Sequence, residues 1–130
     1  MYFFYYVPIG IDIALRRRPY VTYFLCAISV ICFLIYKYRP YGPWWDLNLL
    51  VFQPQYPTLA TAITHPFLHG GYFHIIGNFV YLLVFGRPLE DRLGSFRYYL
   101  VFIVSAVAGV YIHTALTAIY SPEYLPYGII

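Results

Sequence analysis

The chain has 130 residues, of which 62% are hydrophobic, 23% are aromatic and only 10% are charged, with a formal net charge of +3. A soluble domain carries about 25% charged residues, so this composition excludes an ordinary water-soluble fold and predicts an integral membrane protein. The basic residues form no patch with interleaved aromatics, so nucleic acid is not an expected partner. They flank apolar runs instead, as in membrane proteins surrounded by lipids.

The first transmembrane span is predicted at about residues 19–36, between Arg18 and Lys37. An uncharged run of this length, at about 1.5 Å rise per residue, is just long enough to cross the apolar core of a bilayer. Residues 1–10 are aromatic but lack a leading positive region, so they predict an interfacial segment rather than a signal peptide. Cys26 and Cys32 lie nearly two helical turns apart, too far for a disulfide.

A membrane-embedded loop is predicted at about residues 46–70. Pro54, Pro57 and Pro66 interrupt this apolar stretch and argue against one continuous span. Irregular backbone at membrane depth is tolerated only where it packs against protein or faces water. Within the loop, residues 47–52 can form a short helix lying in the interface.

The second span is predicted at about residues 71–86. We expect this helix to end at Gly86, because an arginine and then Pro88 follow it directly. Residues 87–97 would then form a polar connection to the next helix.

The third span is predicted at about residues 98–120, inside an uncharged run that extends to Pro122. Ser105 and Gly109 form a small-xxx-small pair on it, which allows a neighbouring helix to approach closely. The expected fold is therefore all-α, with three transmembrane helices in a single membrane domain.

Basic residues are distributed unequally between the two ends of the predicted spans. Lys37 and Arg39 fall on one side and six arginines on the other, so the positive-inside rule places the N-terminus in the cytoplasm. The chain is compact and has no long targeting extension, so we expect a multi-pass protein of the cell membrane, in a bacterial inner membrane. The six arginines are Arg16, Arg17, Arg18, Arg87, Arg92 and Arg97.

His74 and Asn78 are the candidate functional pair. They are four residues apart on a helical segment, so their side chains share one face about one turn apart. Both can donate hydrogen bonds, and two converging donors are what a developing oxyanion requires. The alternative is that the pair joins two helices by hydrogen bonds. Neither residue is a serine or cysteine nucleophile, and no serine of the chain lies beside a histidine or between glycines.

Two further histidines and one acidic residue allow more than one interpretation. His65 and His69 have a spacing that can bind zinc from one helix face, but no glutamate stands where a metalloprotease needs one. Hydrogen bonds to loop backbone are the favoured role for both. Glu90 can accept hydrogen bonds from a helix N-terminus or pair with an arginine, and Gly94 is expected in a turn.

These residues, in this order and at this spacing, resemble the rhomboid family of intramembrane serine proteases over residues 65–113. The resemblance implies a six-helix membrane core in which His74 and Asn78 stabilise the oxyanion. The serine, from a Gly-x-Ser-Gly sequence, and its partner histidine would come from later helices. No metal or cofactor is implied. The motifs are His69-x4-His74-x3-Asn78, Phe85-Gly86 and Glu90-Asp91-Arg92-Leu93-Gly94.

The resemblance also implies roles outside the oxyanion site. His69 would mainly hold the embedded loop together, and Glu90 and Arg92 would belong to a structural network in the cytoplasmic connection. Ala60-Thr61 stand where the family often has a Trp-Arg pair.

The chain contains no Gly-x-Ser-Gly, so it lacks the expected serine/histidine dyad. We therefore expect the N-terminal part of a rhomboid-type endopeptidase that cleaves transmembrane segments of membrane proteins, and we expect this chain alone to be inactive. One alternative is a short non-catalytic, pseudoprotease-like protein that binds transmembrane helices. A further alternative is a chain without a stable isolated fold, because polar groups facing a missing partner would be unsatisfied in lipid.

Overall fold

The structure is a computed structural model that describes residues 15–38 and 50–124. All regular elements in this part of the chain are helical, which confirms the all-α class. Two predicted features lie outside the described residues. They are the interfacial segment at residues 1–10 and the start of the predicted membrane-embedded loop, residues 46–49. The α-helices are α1 (Tyr20–Tyr38), α2 (Leu59–Thr64), α3 (Tyr72–Tyr81), α4 (Arg87–Leu93) and α5 (Ser95–Tyr120).

Two described helices, α1 with 19 residues and α5 with 26, are long and apolar enough to cross a membrane. The helical stretches Leu59–Phe67 and Tyr72–Leu93 meet at a bend of 90° and qualify as a third span only if taken together. The chain is therefore an all-α membrane protein, and the count of three spans stays a prediction.

The segment before the bend contains more helix than the sequence analysis predicted. Helix α2 begins after Thr58, whose hydroxyl oxygen accepts the backbone N–H of Thr61 at 3.2 Å and caps the helix. No proline lies between Pro57 and Pro66, so the backbone is free to coil there. Pro66 then falls in a 3₁₀ turn, His65–Phe67, where its missing N–H costs little.

Contacts with α5 hold this segment in place. Phe52 and Ala62 are fully buried and form one apolar cluster with Val110 of α5. The helix predicted for residues 47–52 is wrong in its described part, because residues 50–52 are not helical. Pro54 disfavours helical backbone at the residue before it, and the Phe52 ring is drawn against α5 instead.

The second predicted helix does not end at Gly86, so that prediction was wrong. Helix α3 passes into a π-helical turn, Leu82–Gly86, and then directly into α4. Proline lacks an N–H, and in an α-helix its ring collides with the carbonyl four residues earlier. The wider π turn before Pro88 relieves that collision, and the Arg87 side chain donates a hydrogen bond to the Leu83 carbonyl within the turn.

The break comes eight residues later, at Gly94, between α4 and α5. Gly94 has φ +79°, a conformation that side-chain-bearing residues rarely adopt, which confirms the predicted turn. Residues 87–97, predicted as a polar connection, are thus helical on both sides of one glycine.

Gly86 marks the closest approach of three helical elements. A methyl group built on it would lie 2.5 Å from the Tyr98 hydroxyl oxygen of α5 and 3.3 Å from the Thr22 hydroxyl oxygen of α1. Only a residue without a side chain fits there. The π turn, α1 and α5 therefore converge at Gly86.

Candidate functional site

A cavity of about 570 Å³ lies among α1, the 3₁₀ turn, α3 and α5. Its wall is mostly apolar and includes the aromatic rings of Tyr81, Phe85 and Phe102. A small number of polar groups in an apolar cavity is typical of a ligand site. The polar side chains that line it include Ser29, His65, His69, His74, Asn78 and Ser105.

His69 and Asn78 are joined by a hydrogen bond of 2.8 Å between Nε2 of the ring and Nδ2 of the amide. The amide nitrogen can only donate, so Nε2 accepts and the neutral ring carries its proton on Nδ1. His69 is only 2% exposed, which holds the bond away from water. One of the two amide hydrogens of Asn78 is used in this bond, and the other is left for a ligand.

His74 completes the group from the first turns of α3. Its ring meets the ring of His69 edge to face, with centroids 5.2 Å apart and planes at 73°. The side chain of His74 is exposed and lines the cavity, whereas Asn78, on the same helix face, is half-buried. The structure thus brings both sequence-predicted site residues to one cavity, with His69 behind them.

This arrangement can stabilise negative charge on an oxygen atom in the cavity. The second N–H of Asn78 and a ring N–H of His74 are both donors on the cavity side of α3. Because His69 fixes the amide of Asn78, that donor does not need to reorient when charge develops.

The structure shows a hydrogen-bonding partner for both His65 and His69. His65 Nδ1 donates to the Ala62 carbonyl at 2.9 Å, the backbone partner that was predicted. His69 accepts from the side chain of Asn78 through Nε2, and its bond to loop backbone stays a prediction. In the described part of the chain, no group of three or more His, Cys, Asp or Glu side chains converges.

Glu90 supports the site from the far end of the same helical stretch. Its carboxylate accepts the backbone N–H groups of Val21 at 2.9 Å and Thr22 at 2.8 Å, the first turn of α1. The hydroxyl groups of Thr22, at 2.8 Å, and Ser95, at 2.6 Å, donate to it as well. The prediction that Glu90 accepts from a helix N-terminus is therefore confirmed.

The charge state of Glu90, which lies outside the predicted spans, follows from these contacts. Burial alone would raise the pKa of its carboxyl, but the hydrogen bonds from Ser95, Thr22 and Val21 outweigh burial. The pKa of Glu90 therefore lies below its ordinary value, and the carboxylate is charged at neutral pH.

Asp91 is a structural residue that the sequence analysis missed. Its Oδ1 accepts the backbone N–H groups of Arg16 at 3.0 Å and Arg17 at 2.6 Å. More than seventy positions separate the partners, and nothing in the local sequence signals the contact. The carboxylates of Glu90 and Asp91 thus hold the start of α1 against the junction between α4 and α5.

Serine hydroxyl groups are not paired with histidines anywhere in residues 15–38 and 50–124. Ser95 donates to Glu90, while Ser29 and Ser105 line the cavity without a hydrogen bond to a histidine ring. The described residues therefore contain oxyanion donors but no serine activated by an adjacent base.

Comparison with known proteins shows the family to which the chain belongs. The sequence matches the family model of the Rhomboid domain over residues 56–124, just over half of the chain. It is 40% identical over 52 residues to the rhomboid protease GlpG of Serratia proteamaculans (strain 568), a match covering 40% of this chain and 19% of that relative. The match thus spans about a fifth of the relative's length. No solved structure gives a significant match. The domain match covers α2, the His69–Asn78 site and the Glu90 junction together, and the chain belongs to the rhomboid family.

Proposed function

We propose that this chain is the N-terminal part of a rhomboid-type intramembrane serine endopeptidase, which hydrolyses peptide bonds in transmembrane segments of membrane proteins. His74 and Asn78 act in it as oxyanion donors. The observation that carries the proposal is the hydrogen bond of 2.8 Å from Asn78 to the buried His69, which uses one amide N–H of a side chain that lines the cavity together with His74.

The donors act at the moment when a serine attacks the carbonyl carbon of the substrate. The carbonyl oxygen then becomes negatively charged, and N–H groups already in position stabilise it more than they stabilise the uncharged substrate. Loss of one such donor typically lowers kcat by about 10²- to 10³-fold.

The nucleophile and the general base are proposed to come from polypeptide outside these 130 residues, so that this chain alone is inactive. Support comes from the serines of the described part, since none is hydrogen-bonded to a histidine. The cavity among α1, α3 and α5 is the expected place for the serine-bearing segment, because the oxyanion donors line it.

A serine-directed fluorophosphonate probe tests the proposal. The 130-residue chain alone should not be labelled, whereas protein isolated from its native membrane should be labelled at one serine outside this chain. Peptide mapping locates the phosphonylated residue, and heat-denatured protein is the control for non-specific reaction. Stoichiometric labelling of Ser29 or Ser105, the two serines that line the cavity, would contradict the proposal.

A second candidate function is binding of transmembrane helices without cleavage. The observation that favours it is the open face of α5: a methyl group built on Gly109 meets nothing within 4 Å, and Ser105 on the same face is exposed. A small-residue face of this kind admits another helix at short distance. Disulfide crosslinking from a cysteine placed at Gly109 to client helices, in protein that no serine probe labels, would favour this function.

The proposed location is the cell membrane, a bacterial inner membrane, with the N-terminus in the cytoplasm. The excess of arginine beside the starts of α1 and α5 supports this orientation, because basic residues concentrate on the cytoplasmic side. Reporter fusions at the N-terminus and after Tyr38 test it, and a reporter active outside the cell from the N-terminal fusion would contradict it.

A further inference from the structure

Exposed arginines gather at the end of the molecule where α1 and α5 begin. Three precede α1, one lies in α4 and one lies in the first turn of α5, and all five are exposed. The Arg17 guanidinium lies beside the turn that joins α4 to α5, with Nη1 3.5 Å from a methyl group built on Gly94. This arginine corner consists of Arg16, Arg17, Arg18, Arg92 and Arg97.

The two carboxylates of this corner do not neutralise the arginine side chains. Glu90 is occupied by N–H and hydroxyl donors of α1 and α5, and Asp91 accepts the backbone N–H groups of Arg16 and Arg17. Within the described residues, no arginine of the corner forms an ion pair with an acidic side chain. The acids thus fix the backbone and leave the guanidinium groups free to bind an anion.

The corner lies at the height where lipid headgroups are expected. Helices α1 and α5, the two long apolar helices, begin within four residues of its arginines. Aromatic side chains stand exposed at the same level, Tyr20 at 66% and Phe96 at 74%. Exposed aromatic rings beside basic residues are typical of the boundary between the apolar core and the headgroups.

We propose that the arginine corner binds the phosphate groups of anionic phospholipids, and that Asp91 positions it for this purpose. A guanidinium donates two parallel N–H groups to a phosphate and is held less tightly by water than an ammonium is. Because Asp91 fixes the backbone of Arg16 and Arg17, little main-chain freedom is lost when a headgroup binds. The proposal concerns one end of the helices and does not depend on the protease function.

Lipid competition in native mass spectrometry tests the proposal on the full chain. The protein is released from nanodiscs containing equal amounts of phosphatidylglycerol and phosphatidylcholine, and the retained lipids are counted. Wild type should retain phosphatidylglycerol in excess by about tenfold, as expected for several arginines near a headgroup. The variant Arg16→Gln, Arg17→Gln, Arg18→Gln should lose most of that excess, and Lys37→Gln is the control for a basic residue at the opposite end of α1.

An unchanged lipid preference in the triple variant, or an equal loss in Lys37→Gln, would overturn the proposal. Circular dichroism checks that the triple variant keeps its helix content.

The variant Asp91→Asn tests the proposal in the opposite direction, because the amide oxygen still accepts the N–H groups of Arg16 and Arg17 while the negative charge is removed. It should raise the phosphatidylglycerol excess, and a lowered or unchanged excess would contradict the inference.

Discussion

The carboxylate of Glu90 accepts the backbone N–H of Thr22 at 2.8 Å, a contact between residues 68 positions apart in the sequence. Helix α1 has no acidic residue in its first turn, so its unpaired N–H groups depend on this distant carboxylate. The hydroxyl of Ser95, at the start of α5, donates to the same carboxylate. One side chain thus joins the starts of α1 and α5 to the helical stretch that also carries His74 and Asn78.

Replacement of Glu90 is predicted to destabilise the fold strongly. Glu90 is 2% exposed, and Glu90→Ala would leave four donors without this acceptor, two of them on the buried Thr22, at a cost of about 3 kcal/mol or more in the free energy of unfolding. Glu90→Gln should cost less, because one acceptor oxygen remains. Unfolding in detergent micelles measures both, with the exposed Glu123→Gln as a control that should match wild type. Wild-type stability of Glu90→Ala would contradict the prediction.

The stability of the Glu90 junction is predicted to depend on pH. The pKa of Glu90 lies below its ordinary value of 4.5, since hydrogen bonds to its charged form outweigh burial. The carboxyl group therefore binds a proton more readily in the unfolded state than in the folded state. Its stabilisation is complete above about pH 4.5 and is lost as the pH falls through the folded pKa. The difference in stability between wild type and Glu90→Gln should shrink below pH 4.5, and a difference that grows on acidification would refute this.

Gly86→Ala is predicted to lower stability by about 2 kcal/mol, because the added methyl group meets the Tyr98 hydroxyl oxygen at 2.5 Å. The second substitution Tyr98→Phe removes that hydroxyl and should restore part of the loss. Thermal unfolding in detergent of the two single variants and the double variant measures the coupling between the positions.

Gly77→Ala is the matched control for Gly86→Ala. Gly77 also lies in a helix, but a methyl group built on it meets nothing within 4 Å. Alanine there should leave stability unchanged or raise it by up to about 1 kcal/mol, the helix propensity difference. If both glycines tolerate alanine equally well, the close approach at Gly86 is not a packing constraint.

His69 is predicted to be neutral with its proton on Nδ1, because Nε2 accepts the Asn78 amide. Nitrogen NMR of ring-labelled protein distinguishes the two tautomers. Asn78→Leu, which keeps the volume but removes the donor, should change the Nε2 resonance of His69 while leaving that of the exposed His113 on α5 unchanged. A proton on Nε2 of His69 in wild type would rule out the hydrogen bond as assigned.

Local periodicity was sufficient to predict part of this arrangement. The spacing of His74 and Asn78 predicts one helix face, and the uncharged runs predict α1 and α5, because both signals lie within a few turns of one helix. The resemblance to rhomboids added the oxyanion role, which stays a prediction. The helix end predicted at Gly86 was wrong. An arginine and a proline after a glycine usually end a helix, but here the π turn lets the helix continue past the proline.

The contacts that build the site depend on distant parts of the chain, which explains why the sequence did not reveal them. The His69–Asn78 bond requires the 90° bend between the two helical stretches. The contacts of Asp91 with Arg16 and Arg17 depend on how α1 packs against α4. Neither relation follows from spacing, because each is fixed by tertiary packing.

Cleavage kinetics test the proposal that Asn78 stabilises an oxyanion while His69 holds its amide. The measurement is kcat for a transmembrane reporter substrate with the protein isolated from its native membrane, comparing wild type, Asn78→Ala and the control His113→Ala. We expect Asn78→Ala to lower kcat by about 10²-fold with little change in KM, and His113→Ala to retain wild-type activity. An Asn78→Ala enzyme with wild-type kcat would contradict the claim.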